Sequence, residues 1–182
     1  VRLRKIADEM GDALAIEERA FPLRPAPEAN VPFKGTYREA GWQRCHAMSS
    51  ADGVTFTPWP HPSMPGFSLP ALQAARCVAK QGHDAFVRVH LALFRAYFTE
   101  SRNIADPDEL VRIVGAAGVD VDRFIADYHA GIGRDEVISD YEAAVNEHGV
   151  RSIPTVIVPA TGRYVIGLVD LQTYRAAIEE AR

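Results

Sequence analysis

The chain predicts an α/β protein with a large all-helical insertion, and three observations carry that prediction. A helical pattern and then an apolar stretch open the chain. Two short β-branched runs and a final helical pattern close it. Between them, every periodic segment from 34 to 148 has helical spacing, so the middle supplies no strands. The two ends must therefore build a sheet together. The divided α/β domain is expected at 1–33 and 149–182, with the helical insertion at 34–148.

Taken in order, Leu3, Ile6, Ala7 and Met10 recur at helical spacing, and Gly11-Asp12 ends the helix. No Ser, Thr, Asp or Asn stands ahead of it as a cap. The expectation is that the chain begins inside a helix and that a segment precedes Val1. Leu14 to Phe21 is expected to be a strand, ended by Pro22, Pro25, Pro27 and Pro32. Tyr37, Ala40, Gly41, Cys45 and Met48 fit one face of a helix, with Cys45 packing as a small hydrophobe. The stretch 52–66 holds Pro58, Pro60, Pro62 and Pro65, with Phe56, Trp59, His61, Met64 and Phe67 in or beside it. It is a stiff loop whose aromatics either line an apolar groove or fold back on their own core, and the residues alone leave both open. His61 has no partner at metal-ligand spacing.

Ser68 is placed to cap the next helix, with Pro70 in its first turn and Gly82 at its end. Ala85 to Thr99 is apolar almost all round, the pattern of a helix buried among others, and His90 within it is a core histidine. Asp106-Pro107-Asp108-Glu109 combines a cap, a first-position proline and first-turn acids. Asp120 starts another short helix, and Val137, Tyr141, Ala144, Val145 and His148 mark one more, stopped by Gly149. Thr155–Val158 and Tyr164–Ile166 then form a hairpin, and Asp170 caps a final helix carrying Leu171, Tyr174, Ala177 and Ile178. Pro154 lies at the mouth of the hairpin. On its own it is either a strand starter or a cis-proline loop that presents backbone to a substrate.

Composition narrows the function. The 182 residues are 47% hydrophobic and 24% charged, with a net charge of −4 and no long run of one sign. That balance argues against a nucleic-acid or anionic-membrane partner. No signal-peptide pattern follows the basic start, so the expected location is cytoplasmic. The two cysteines, Cys45 and Cys77, make neither a disulfide framework nor a metal cluster, and are expected to be unbridged.

The pieces Phe21-Pro22-Leu23-Arg24-Pro25, Leu69-Pro70-Ala71-Leu72-Gln73-Ala74-Ala75, Phe94-Arg95-Ala96-Tyr97-Phe98, Asn103-Ile104-Ala105-Asp106 and Gly149-Val150-Arg151-Ser152-Ile153-Pro154-Thr155, in that order and spacing, resemble the DsbA family. More narrowly, they resemble the cytoplasmic DsbA-like branch grouped with 2-hydroxychromene-2-carboxylate isomerases and kappa-class glutathione transferases. The resemblance implies a thioredoxin-like fold with a large all-helical insertion, and a first strand and Cys-x-x-Cys motif lying upstream of Val1. It implies a cis-proline at Pro154, with Ser152, Ile153 and Thr155 around it meeting substrate backbone. The family commonly has Gly-Val-Pro-Thr where this chain has Ser152-Ile153-Pro154-Thr155. It also often has Gly-Ala-Gln where this chain has Gly167-Leu168-Val169.

Three functions follow from the resemblance. The first is a thiol–disulfide oxidoreductase acting on a thiol or disulfide substrate, peptide or small molecule, with no cofactor. The second is a glutathione-dependent isomerase or transferase, with Trp59 and His61 beside an apolar substrate. The third is a thioredoxin-like binding module without redox chemistry. Related proteins commonly form homodimers, but no surface in this sequence marks one.

Overall fold

The structure is a computed structural model and describes residues 1–181. Arg182, the last residue of the expected divided domain, lies outside the described residues. The chain forms two compact units, one from residues 1–19 and 142–182, the other from 20–141. The divisions fall at 19/20 and 141/142, whereas the spacing predicts 33/34 and 148/149. Packing explains the difference, because residues 20–33 bond and pack within the helical unit. Ala20 joins Leu69 and Val137 in one apolar cluster, Val31 pairs with Met64, and Arg24 bonds to Ser68.

The first unit contains α1 (Arg2–Met10), β3 (Thr155–Val158), β4 (Arg163–Ile166) and α8 (Leu171–Glu179). α1 has no side-chain cap. β3 and β4 form an antiparallel hairpin with Thr155 opposite Ile166 and Val158 opposite Arg163. Alternation along the strands turns Val156, Val158 and Val165 toward Ile6, Tyr174 and Ala177 of the two helices. Asp170 caps α8 by accepting a hydrogen bond from the Thr173 N–H at 2.7 Å. On the opposite face of the hairpin, Tyr164 and Ile166 are 42% and 59% exposed.

Residues 14–21, expected as a strand, are not one. The backbone is extended at Leu14 (φ −135°, ψ 117°), and Leu14 packs against the α1–α8 core. Among the described residues no second backbone pairs with the segment, and an extended chain becomes a strand only through a ladder. The consecutive charges Glu17, Glu18 and Arg19 also break the alternation that would bury one face.

The second unit is built on α3 (Leu69–Ala79), α4 (His83–Phe94), α5 (Pro107–Ala116) and α6 (Val121–His129). Their core holds Ala74, Cys77, Val78, Val89, Leu110, Ile113, Val114 and Phe124. Asp106 and Asp120 cap α5 and α6 as expected, accepting from the N–H groups of Asp108 and Arg123. Gly133, at φ +80°, lets the turn after α6 lie against α3, where a Cβ would come within 2.8 Å of the Arg76 Cβ. α7 (Arg134–Glu142) follows, and the chain continues as a π-helical turn over Ala143–Glu147. Asp140 is buried on α7 and accepts from both the Ala20 N–H (2.8 Å) and Arg76 (2.6 Å).

Two local expectations are corrected here. Ser68 does not cap α3 through its side chain. Its hydroxyl accepts from the Arg24 N–H at 2.9 Å and lies 3.1 Å from the Arg24 carbonyl, so tertiary pairing takes the group that would have capped the helix. The stretch Ala85–Thr99 is not buried all round. Leu91 and Phe94 are 45% and 50% exposed, and the last turn, Arg95–Thr99, is π-helical.

α2 (Tyr37–Ser49) and a two-residue ladder of β1 (Val31–Pro32) with β2 (Ser63–Met64) complete this unit. The face of α2 predicted to pack is not the one that does, since Tyr37 and Met48 are exposed. Trp42 instead anchors the helix, with its ring 5.4 Å from Phe33, 5.8 Å from Phe56, 5.6 Å from Tyr97 and 5.0 Å from Phe98. One large aromatic body outweighs a stripe of small residues and turns the helix about its axis. Among the described residues, no helix is long and apolar enough to cross a membrane.

Candidate functional site

The loop ahead of the β3–β4 hairpin is the candidate site. Val150 is buried, and its N–H donates to the Ala144 carbonyl at 2.8 Å. From there Arg151, Ser152, Ile153 and Pro154 are all exposed. The Ile153–Pro154 peptide bond is cis. Two hydrogen bonds fix the far side of the loop. The Thr155 hydroxyl donates to the Ser152 carbonyl at 2.6 Å, and the Gly167 N–H donates to the Pro154 carbonyl at 2.8 Å. Among the described residues, neither the N–H nor the C=O of Ile153 has a partner. Ile153 thus offers one donor, one acceptor and a side chain that is 42% exposed, all at the end of a sheet strand. An extended peptide can pair with such a position through its own backbone.

The other two residues singled out by sequence sit elsewhere. Trp59 is only 3% exposed, and its indole N–H donates to the Ser63 carbonyl at 2.7 Å. Its ring lies 5.7 Å from Tyr97, so it belongs to the interior of the helical unit. His61 is exposed, with its ring centre 6.4 Å from that of Trp59. The 52–66 loop therefore folds back at Trp59. Its Phe56 end borders an open groove with Trp42, a residue the sequence reading did not single out. The Tyr97 hydroxyl beside these rings is pushed up to about 12 by burial.

The sulfurs present in the chain are not at the loop. Cys45 and Cys77 are both free, in agreement with the expectation, and both belong to the helical unit. Burial raises the Cys77 thiol to about 11, with the nearby Asp127 carboxylate adding to the shift. Its sulfur lies 3.8 Å from the Phe124 carbonyl. A thiol held there stays protonated at neutral pH and is a poor nucleophile. Arg76, adjacent in sequence, forms its ion pair with Asp140. Among the described residues, no group of three or more His, Cys, Asp or Glu side chains is placed to hold a metal ion.

Comparison with known proteins agrees with this architecture. Residues 1–179 match the DSBA-like thioredoxin domain, and the chain belongs to that family. Two solved structures share its fold. One is a probable DsbA oxidoreductase from Streptomyces coelicolor, with a TM-score of 0.80 at 20% identity, covering 99% of this chain and 81% of the other. The second is a candidate protein disulfide isomerase from Nitrosomonas europaea, with a TM-score of 0.76 at 15% identity, covering 98% and 87%. No curated protein matches the chain. At these identities the two structures establish a DsbA-like thioredoxin fold, mixed α/β and predominantly helical.

Proposed function

We propose that the protein is a thiol–disulfide oxidoreductase whose Ser152–Thr155 loop holds an extended substrate while a sulfur encoded upstream of Val1 attacks it. The observation that carries this reading is the exposed, unpaired backbone of Ile153 in a chain of the DSBA-like family. The exchange is direct. A thiolate on the protein forms a bond to one sulfur of the substrate disulfide, the substrate S–S bond breaks, and the other sulfur leaves as a thiolate. A second protein sulfur then resolves the mixed disulfide and leaves the protein oxidised and the substrate reduced; run in reverse, the same steps oxidise a dithiol. Cys77 is unsuited to the attack because it is buried with a raised pKa. Cys45 lies far from it in sequence and on a different helix, so the two do not form a Cys-x-x-Cys pair.

The test has two arms. The complete reading frame upstream of Val1 is expected to encode a Cys-x-x-Cys motif, and the complete protein is expected to catalyse insulin reduction by a small dithiol. A Cys-x-x-Cys motif with no such turnover overturns the redox reading. A serine or lone cysteine at that place, with glutathione-dependent turnover of an aromatic substrate, transfers the protein to the isomerase or transferase class.

A further inference from the structure

The helical unit contains a second candidate site, formed where α2 meets the 52–66 loop. Glu39, Trp42, Gln43 and His46 recur at i, i+3, i+4 and i+7, so one face of α2 carries all four. That face, with Phe56 and Pro58 of the loop, lines an open groove of about 420 Å³, and buried Phe33 lies beneath it. The packing of Trp42 that leaves Tyr37 and Met48 outside also turns Glu39, Gln43 and His46 to the groove, so its aromatic wall is rimmed by polar side chains.

The chemistry of the lining selects the ligand. The Trp42 and Phe56 rings stand at 89° to one another, so their planes form two walls at right angles. The Trp42 indole N–H is already committed to the Thr57 carbonyl at 2.8 Å. His46 accepts the Phe56 N–H at its Nδ1 (3.3 Å). Of the Asp, Glu, Lys and Arg side chains among the described residues, Glu39 alone lines the groove. Its Oε2 accepts from the Gly35 N–H at 2.8 Å, and Oε1 has no partner among the described residues. Aromatic faces attract cations through their quadrupole, and a neighbouring carboxylate adds to that attraction while it repels anions.

We infer that this groove binds a small organic cation of the quaternary-ammonium class, held against Trp42 and Phe56 with Glu39 as its counter-charge. The inference is independent of the redox reading, because all its residues lie in the 20–141 unit.

The probe is choline, set against its uncharged isostere 3,3-dimethyl-1-butanol, with binding read from the indole N–H resonances of the complete protein. Choline is expected to shift the Trp42 indole signal saturably and to leave that of Trp59 in place. The neutral isostere is expected to bind at least tenfold more weakly. Glu39→Gln keeps a side-chain acceptor for the Gly35 N–H, so it removes the charge without removing the helix-start contact. It is expected to weaken choline binding several-fold and to narrow the gap to the isostere. Phe56→Leu is expected to weaken choline more than the isostere. Absence of a saturable Trp42 shift in the unsubstituted protein, or equal binding of choline and its isostere, overturns the inference.

Discussion

Ser101 follows the π-helical turn at φ +53°, a left-handed conformation in which a Cβ is strained, and its buried hydroxyl oxygen has no hydrogen-bond partner among the described residues. Both features favour glycine at this position. Ser101→Gly is expected to stabilise the protein by about 1 kcal/mol, the relief outweighing glycine's greater freedom in the unfolded chain. Chemical denaturation checks this, with a higher midpoint at unchanged slope as the expected result. Cys77 yields a second residue-scale prediction. With its thiol near 11 and fully buried, it is expected to resist a thiol-labelling reagent at pH 8 in the folded protein while half-buried Cys45 reacts. Mass spectrometry before and after unfolding distinguishes the two; equal labelling in the folded state contradicts the burial argument. Sequence alone located both cysteines but not this contrast, because burial of Cys77 depends on Phe124, which the α3–α6 packing brings to it.

Elements differ in how legible they were, and the reason is the range of the interaction that makes them. The starts of α5, α6 and α8 are written in Asp106, Asp120 and Asp170, each of which bonds an N–H two or three residues ahead. Ser68 has the same credentials, yet its hydroxyl goes to Arg24, 44 positions away in the chain. Residues 14–21 fail as a strand for want of a pairing partner, and α2 rotates about Trp42 because rings from positions 33, 56, 97 and 98 converge on it. Pattern within a window reports caps and turns well; it is blind to partners that only folding brings near. The link between α5 and the turn before it is of the second kind. Glu109 pairs with Arg102 and Arg112, and Arg102 also reaches Glu100. The Arg102 hydrogen bond, with a smaller contribution from Arg112, holds the Glu109 carboxyl below the usual carboxylate range. The folded state then binds that proton less readily than the unfolded chain. The pairing stabilises fully above the unfolded carboxyl value of about 4.3 and is lost as the pH falls toward and through the lower folded value. Glu109→Gln is expected to cost about 1 kcal/mol at pH 7, and its deficit relative to the unsubstituted protein is expected to shrink on acidification below pH ~4. A deficit independent of pH between 7 and 3 would show that the ion pairs carry no weight.

At the scale of the whole molecule, the order of elements carried most of the information. A terminal hairpin and helix, a helical middle and an opening helix indicated an α/β protein; the thioredoxin-like fold came with the resemblance to the DsbA family, and the family match over residues 1–179 agrees with that resemblance. The site was legible only in part. Ser152, Ile153 and Pro154 share one exposed loop that leads into half-buried Thr155 at the start of β3, whereas Trp59 is interior and His61 lies on the surface of the other unit. What the residues could not disclose is how Ile153 comes to have both backbone polar groups unengaged, since that depends on where the hairpin register ends, at Thr155 opposite Ile166. The central claim is that this backbone receives substrate during thiol–disulfide exchange. Its most direct test is hydrogen exchange at the Ile153 amide in the complete protein, free and trapped as a mixed disulfide with an extended cysteine-containing peptide. The account predicts that the mixed disulfide forms and that the Ile153 amide exchanges at least tenfold more slowly within it. An Ile153 amide that exchanges as fast in the mixed disulfide as in the free protein, or failure of any mixed disulfide to form, would contradict it.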